Sequence, residues 1–365
     1  MAYEVDFVGS TKAAKDYDAV AFRYKTAVGK WVTCVFDGGT SDAGADLVEH
    51  LRNYYVGEGA PIDVIFCSHP DLDHASGLKQ VLEEFPVHFL VMNRPWEYLD
   101  DLFERVKDGR ITKQSLEKTL REKYQHISDL EKIAKSKGCT ILQGIVGENL
   151  GENLQILSPT KEFYIQCLAD SEKTPVMESA ANSKHIFSAL NTAVKTMAKW
   201  LKGIWGTDAI REGENTTPDN ESSIILRVCP PNEKPFLFVG DAGCKGLTAA
   251  LDLADTKKIP LNTCDFLQVP HHGGRHNVSP SVLNRLIGAM VEEGTKPTKT
   301  AFVSVCKDSD HPRKCVVNAF LNRGCSVFAT RGQSKHHFRG DVPTREGWIA
   351  ATAEPFSERV ESWDG

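Results

Sequence analysis

The stretch His69-Pro-Asp71-Leu-Asp73-His74 places two imidazoles and two carboxylates within six residues. An apolar run at 64–67 before it reads as a buried strand, and the next helix-forming segment begins only at Gly77-Leu78. Four metal-capable heads on such a strand-to-helix turn can point into one cavity. The plain alternative is a solvated, Asp-rich turn with incidental histidines. Three other strand ends carry residues of the same kind: Asp37, Asp241 and the pair His271-His272. Separate strands that each deliver a ligand-type side chain favour metal-dependent hydrolysis over coincidence.

The elements that must position these residues alternate between strand and helix. Strands are expected at 4–8, 19–24 and 31–36, then a helix over 42–55 with Leu47, Val48, Leu51, Tyr54 and Tyr55 on one face. The strand before His69, a short helix bearing Leu78, Val81 and Leu82, and a strand at 87–92 continue an α/β layered pattern. Residues 96–137 read as a helical excursion, with Leu116, Leu120, Tyr124, Ile127 and Leu130 at helical spacing. Strands resume at 140–143 and 153–157. A second helical excursion spans about 162–212, where Phe187, Leu190, Val194, Met197, Leu201 and Ile204 form a narrow apolar seam. That seam suits packing on the core, self-association or a protein partner. Further strands are expected at 222–228, 235–239, 265–269, 300–305 and 325–330, with helices near 247–253, 281–290 and 312–321. Residues 331–365 carry no clear assignment, and His336-His337 reads as a solvated turn or a basic edge that meets phosphate.

The chain has 365 residues, a formal net charge of -6 and ordinary apolar content, which bounds it as a globular protein able to bury a sizeable core. Charge gives no wholesale attraction to a polyanion. Ten cysteines without CxxC pairs indicate neither a zinc knuckle nor a disulfide framework. With no long apolar run and no leader-like start, the expectation is a cytoplasmic protein with no membrane partner.

The motif His69-x-Asp71-x-Asp73-His74, followed later by Asp241, resembles the metallo-β-lactamase superfamily and is most similar to the hydrolase domain of the competence protein ComEC. Lys15-Asp-Tyr-Asp18-Ala19 is similar to a degenerate Gly-Gln-Gly-Asp-Ala, and Phe36-Asp37-Gly38-Gly39 to an Asp-x-Gly strand end. Asn220-Glu-Ser-Ser223, Gly240-Asp241-Ala242, Val269-Pro-His271-His272-Gly273 and the segment from Ser304 to His311-Pro312 continue the likeness. The two helical excursions have no counterpart in it.

The resemblance implies an α/β αββα sandwich, one domain over 1–365 with helical insertions at about 96–137 and 162–212, and two divalent metal ions. Carried over, His69 and Asp71 belong to the first metal, Asp73 and His74 to the second, and Asp241 bridges them. One of His271 and His272 completes the second site; the other holds a phosphate or carbonyl oxygen. Asp37 orients a ligand histidine or the ligand loop. Asp73 and His311 are the expected catalytic groups, although His311 reads equally as a surface residue at a helix start. Asn220, Ser223, Arg275 and His276 are candidate substrate contacts. Asp71 stands where many relatives have a histidine, and Asn220 to Ser223 replaces a further histidine. This oxygen enrichment favours Mn2+ over Zn2+. The implied activity is hydrolysis of a nucleic acid or other phosphodiester by a metal-bridging hydroxide. Alternatives are hydrolysis of a small ester, lactone or thioester, or a weakly active fold that serves an assembly.

Overall fold

A computed structural model of the chain describes residues 2–57, 59–106, 110–175 and 200–363. The first sheet contains β1 (Tyr3–Phe7), β2 (Ala19–Lys25), β3 (Trp31–Gly38), β4 (Ile62–Cys67), β5 (Val87–Met92) and β6 (Thr140–Leu142) in sequential order. The second contains β7 (Leu154–Ser158), β9 (Ile225–Val228), β10 (Phe236–Phe238), β11 (Phe266–Gln268), β12 (Lys299–Val303) and β13 (Cys325–Ala329), and a short β8 (Trp200–Lys202) lies apart. In each sheet the antiparallel hairpin strands give way to a parallel half, β3-β4-β5-β6 and β10-β11-β12-β13. Parallel strands end on one edge, which is why loops distant in sequence can meet there.

Period-two side-chain alternation builds the layers. Tyr3, Val5 and Phe7 of β1 and Phe236 and Phe238 of β10 point into an aromatic core between the sheets, with Phe22, Phe36, Phe66, Phe266 and Phe302. Leu237 points the opposite way, into a second core under helices Cys244–Thr256, Pro280–Leu286 and Lys314–Leu321. Helices Ser41–Tyr54, Leu78–Glu84, Lys113–Lys123 and Gln125–Ser136 cover the outer face of the first sheet through Leu47, Leu51, Leu78, Leu116, Leu120 and Leu130. The result is the expected αββα sandwich.

Several local expectations change. The excursion over 96–137 is helical as expected but broken: after the short helix Leu99–Phe103, helices Lys113–Lys123 and Gln125–Ser136 meet at Tyr124. Of the apolar seam, Phe187, Leu190, Val194 and Met197 lie outside the described residues. Its end is not helical: Trp200–Lys202 is a strand paired antiparallel with β15 (Arg359–Glu361), and Leu201 and Ile204 are exposed. Pairing with a remote segment leaves no trace in local periodicity. The unassigned tail also supplies β14 (Lys335–Arg339), which extends the first sheet beyond β1. His336 and His337 are therefore strand residues rather than a turn. His336 bonds to Asp6 at 2.6 Å, while His337 stacks on Phe266 with ring centroids 4.7 Å apart.

Burial drives the His337 imidazole down to about 3, helped by the nearby Arg339. A histidine kept neutral in the fold leaves the unfolded chain to bind the proton first, so this residue's stabilisation is complete above about pH 6.5 and lost as pH falls toward 3. Substituting His337→Phe is expected to flatten denaturant-measured stability between pH 6.5 and 5 by roughly 1–2 kcal/mol relative to the wild type. Parallel pH slopes in the two proteins would contradict this.

Candidate metal centre

The ligand-type residues meet at the shared edge of the two sheets. β3 carries Asp37 next to its last residue, Gly38, β4 runs into Ser68-His69, and the chain then turns through the short helix Leu72–Ala75 that carries Asp73 and His74. From the second sheet, β10 leads to Asp241, β11 to His271 and His272, and β12 to Ser304. The ligand loop lies directly on the end of β3. A Cβ at Gly77 would stand 2.0 Å from the Gly38 carbonyl oxygen, so only glycine permits this approach.

Asp241 lies at the centre. Its Oδ1 is 3.2 Å from His74 Nε2, while its Oδ2 is 3.8 Å from both His69 Nε2 and His271 Nε2. On the first side, Asp71 Oδ2 stands 3.7 Å from His69 Nε2. On the second side, Asp73 Oδ2 stands 3.5 Å from His272 Nε2. Asp18, His74, Asp241 and His272 are all buried and each offers a ligand atom within 4.8 Å of the others. The buried residues form a floor, and Asp71, Asp73 and His271, each about one-third exposed at the side chain, form a rim.

Asp18 is a member of this cluster that the candidate list from sequence omitted. β2 runs antiparallel to β3, with Ala19 opposite Gly38, so the residue before β2 lies beside the end of β3. Its signal was the Asp18-Ala19 pair in the Lys15 to Ala19 motif. The pairing that brings it to His74 is not readable from the motif itself.

Hydrogen bonds decide which imidazole nitrogens face the cavity. His272 Nδ1 donates to the Ser304 carbonyl at 2.9 Å, and His74 Nδ1 donates to Asp37 Oδ2 at 2.8 Å. Ser68 gives its hydroxyl proton to Asp37, so His69 Nδ1 donates to Ser68 Oγ at 3.0 Å. In all three rings Nδ1 is engaged by a neighbouring group, and Nε2 is the nitrogen aimed at the centre. His271 differs. Its Nδ1 accepts from Asn220 Nδ2 at 3.0 Å, which leaves Nε2 carrying the proton.

The fit to metal ions rests on buried atoms. His69 Nε2, His74 Nε2, His272 Nε2, Asp18 Oδ2 and Asp241 Oδ1 are enclosed and make no hydrogen bond among the described residues. Orphaned polar atoms are costly in an interior, and five that converge make a donor set able to hold a cation. Electrostatics agree. Burial opposes charge on Asp241, but His74, His271 and His272 hold its carboxyl well below the usual range. Burial also opposes charge on His272, yet Asp73, Asp241 and Asp18 raise it to about 10. Burial raises Asp18 against the pull of His272 and His74. Divalent cations binding here would displace protons that now balance these carboxylates. Asp37, His271 and His272 also adopt positive φ values of 60°, 48° and 54°, a strained conformation held by the contacts just described.

The remaining candidates lie around this centre. Ser223 Oγ accepts from the Asp241 backbone N–H at 3.2 Å, and Asn220 holds His271; both position cluster residues. Arg275 donates to the Ser362 carbonyl and stacks on Trp363, while the exposed His276 pairs with Glu214. Their polar groups are thus committed to the tail and to residue 214. His311 Nδ1 pairs with Asp16 Oδ2 at 2.9 Å, across from the His271–Gly273 turn, whose carbonyl at Gly273 accepts from Arg313 N–H.

Two sheets packed face to face, helices outside and a His/Asp cluster at their edge define a metallo-β-lactamase type of fold. Residues 28–134 match the sequence model of the metallo-beta-lactamase superfamily. No curated protein matches the chain. Among solved structures, a long form RNase Z from yeast aligns at 11% identity and a TM-score of 0.34, covering 83% of this chain and 37% of that one. The chain thus spans little more than a third of that protein. The metallo-beta-lactamase SMB-1 bound to 2-mercaptoethanesulfonate aligns at 10% identity and 0.32, over 78% and 86% of the two chains. MEM-A1, a subclass B3 metallo-beta-lactamase from a soil metagenome library, aligns at 11% and 0.32, over 78% and 85%. Among the described residues no helix is long and apolar enough to cross a membrane.

Proposed function

We propose that the chain is a metal-dependent hydrolase acting on a phosphodiester, with 1–365 forming one catalytic unit. The observation that carries the reading is the convergence of five buried, hydrogen-bond-free ligand atoms from both sheets. In this reading His69, Asp71 and Asp241 hold one divalent ion, and Asp73, His74, His272 and Asp241 hold the other, with Asp18 beside it. When bound, such a pair lowers the pKa of a water nucleophile and neutralises charge on a substrate oxygen. Asp37 and Ser68 fix the ligand imidazoles. His271, kept as an Nε2–H donor by Asn220, faces the cavity from the rim, where it can donate to an anionic oxygen of the substrate.

The first group offers one imidazole against two carboxylates, which supports Mn2+ over Zn2+. The phosphodiester is drawn from the ComEC-like motifs and agrees with a rim that presents a hydrogen-bond donor. The test is metal analysis with rates on single-stranded DNA, RNA and a generic phosphodiester in Mn2+ and in Zn2+. Wild type is expected to cleave at least one of them and Asp73→Ala to lose that activity by about 10²-fold or more, the scale of one transition-state contact. Equal rates for the two proteins on all substrates would overturn the reading, and activity confined to a lactone or thioester would move it to that class.

A further inference from the structure

The segment with no counterpart in the motif likeness reaches the rim. Lys173 follows helix Lys161–Asp170, and its Nζ lies 2.8 Å from Asp71 Oδ1 and 2.8 Å from Asp219 Oδ2. Asp219 is held in turn. Its Oδ1 accepts from Tyr124 Oη at 3.3 Å and from Ser171 Oγ at 3.1 Å. The Lys173 ammonium also sits 5.5 Å from the Tyr124 ring centroid. A chain of contacts therefore runs from the break between the two packed helices, through Asp219 and Lys173, to Asp71.

Asp71 needs such a restraint. It occupies the N-cap position of helix Leu72–Ala75, yet its side chain makes no capping hydrogen bond, so the helix does not fix it. Its side chain is about one-third exposed, open to water on the rim. With Oδ1 taken by the ammonium, Oδ2 is the oxygen turned to His69. We infer that Lys173 is a positioning residue: it presents Asp71 to the first metal through a single oxygen and offsets one charge in a cluster crowded with carboxylates. The inference rests on the two-metal reading above. It assigns the helical insertion a part in metal affinity, because the insertion supplies Lys173 while Tyr124 and Asp219 anchor it.

The test is Mn2+ binding, followed by the electron paramagnetic resonance signal of free Mn2+ during titration of the metal-free protein. Asp71→Asn marks the step that belongs to the first metal. Lys173→Met is expected to weaken that step by about 10- to 100-fold, the range seen when an outer partner of a metal ligand is removed. The other step should stay within about threefold, and thermal stability should change little. Lys173→Arg should retain most of the affinity, and adding Lys173→Met to Asp71→Asn should cost little more, since both act on one contact. If Lys173→Met does not fold, Lys173→Gln decides, with an intermediate loss expected. Wild-type affinity at the first step in whichever of these two variants folds would overturn the inference and leave the two-metal reading intact. Equal weakening of both steps with a lowered melting temperature would reduce Lys173 to a structural role and also overturn it. A wild type that binds no Mn2+ would remove the two-metal reading, and this inference with it.

Discussion

An Asp241→Asn variant is expected to keep its fold, to hold at most one metal ion per chain, and to show at least about 10³-fold slower turnover of any substrate the wild type hydrolyses, beyond the loss of a single oxyanion donor. Asp241 is the residue both halves of the cluster share, with one oxygen toward His74 and the other toward His69 and His271. Three imidazoles overcome the effect of burial and keep it ionised. Asparagine matches its volume but removes the negative charge and one of the two oxygens that face the surrounding imidazoles. The backbone at 241 should hold, because Ser223 accepts its N–H and Asn277 donates to its carbonyl. Elemental analysis with steady-state rates checks this, and two bound ions with near-normal turnover would refute the assignment of Asp241 as the bridge.

The largest effect on stability is expected far from the cavity, at Arg345. Glu4 and Asp6 alternate with the aromatic residues of β1 and so point under the helix Ser41–Tyr54, where both are fully buried. Arg345 bonds to Asp6 Oδ2 at 2.5 Å and to Glu4 Oε2 at 2.7 Å, and packs on the Tyr54 and Trp348 rings. Arg23, His50 and His336 complete the cluster. Arg345→Met removes one partner and leaves buried carboxylates under-compensated, a change that costs about 3–5 kcal/mol in comparable buried pairs. Denaturant unfolding measures it; a loss below about 1 kcal/mol would show that the remaining cations suffice. Burial raises Asp6, yet His336 and His50, with Arg345, hold it well below its ordinary range. Its contribution is therefore present above about pH 4 and lost as the pH falls through the lower folded value.

The strand-end placement of His69, Asp71, Asp73, His74, Asp241 and the His271-His272 pair was legible because apolar runs and turn residues mark where strands stop. The order of strands and helices was legible for the same reason. Residues 200–204 are not helical, since apolar spacing cannot show that the backbone at Trp200–Lys202 pairs with the distant Arg359–Glu361. Lys173 and Arg345 carried no signal at all; each is an ordinary basic residue until a fold puts carboxylates beside it.

By itself, then, the sequence determined the inventory: which side chains stand at strand ends, that they are metal-ligand types, and that one stretch supplies four of them. Tertiary structure alone decided their orientation. His271 and His272 are adjacent and chemically identical, yet one ring bonds through Nδ1 to a carbonyl and the other to an amide N–H2. Those partners come from different elements, Ser304 just after β12 and Asn220 from the short helix Pro218–Glu221, and they set whether Nδ1 donates or accepts. Asp18 joined the cluster for a related reason: antiparallel pairing returns the start of β2 to the end of β3, a contact set by hydrogen-bonded register rather than by residue type.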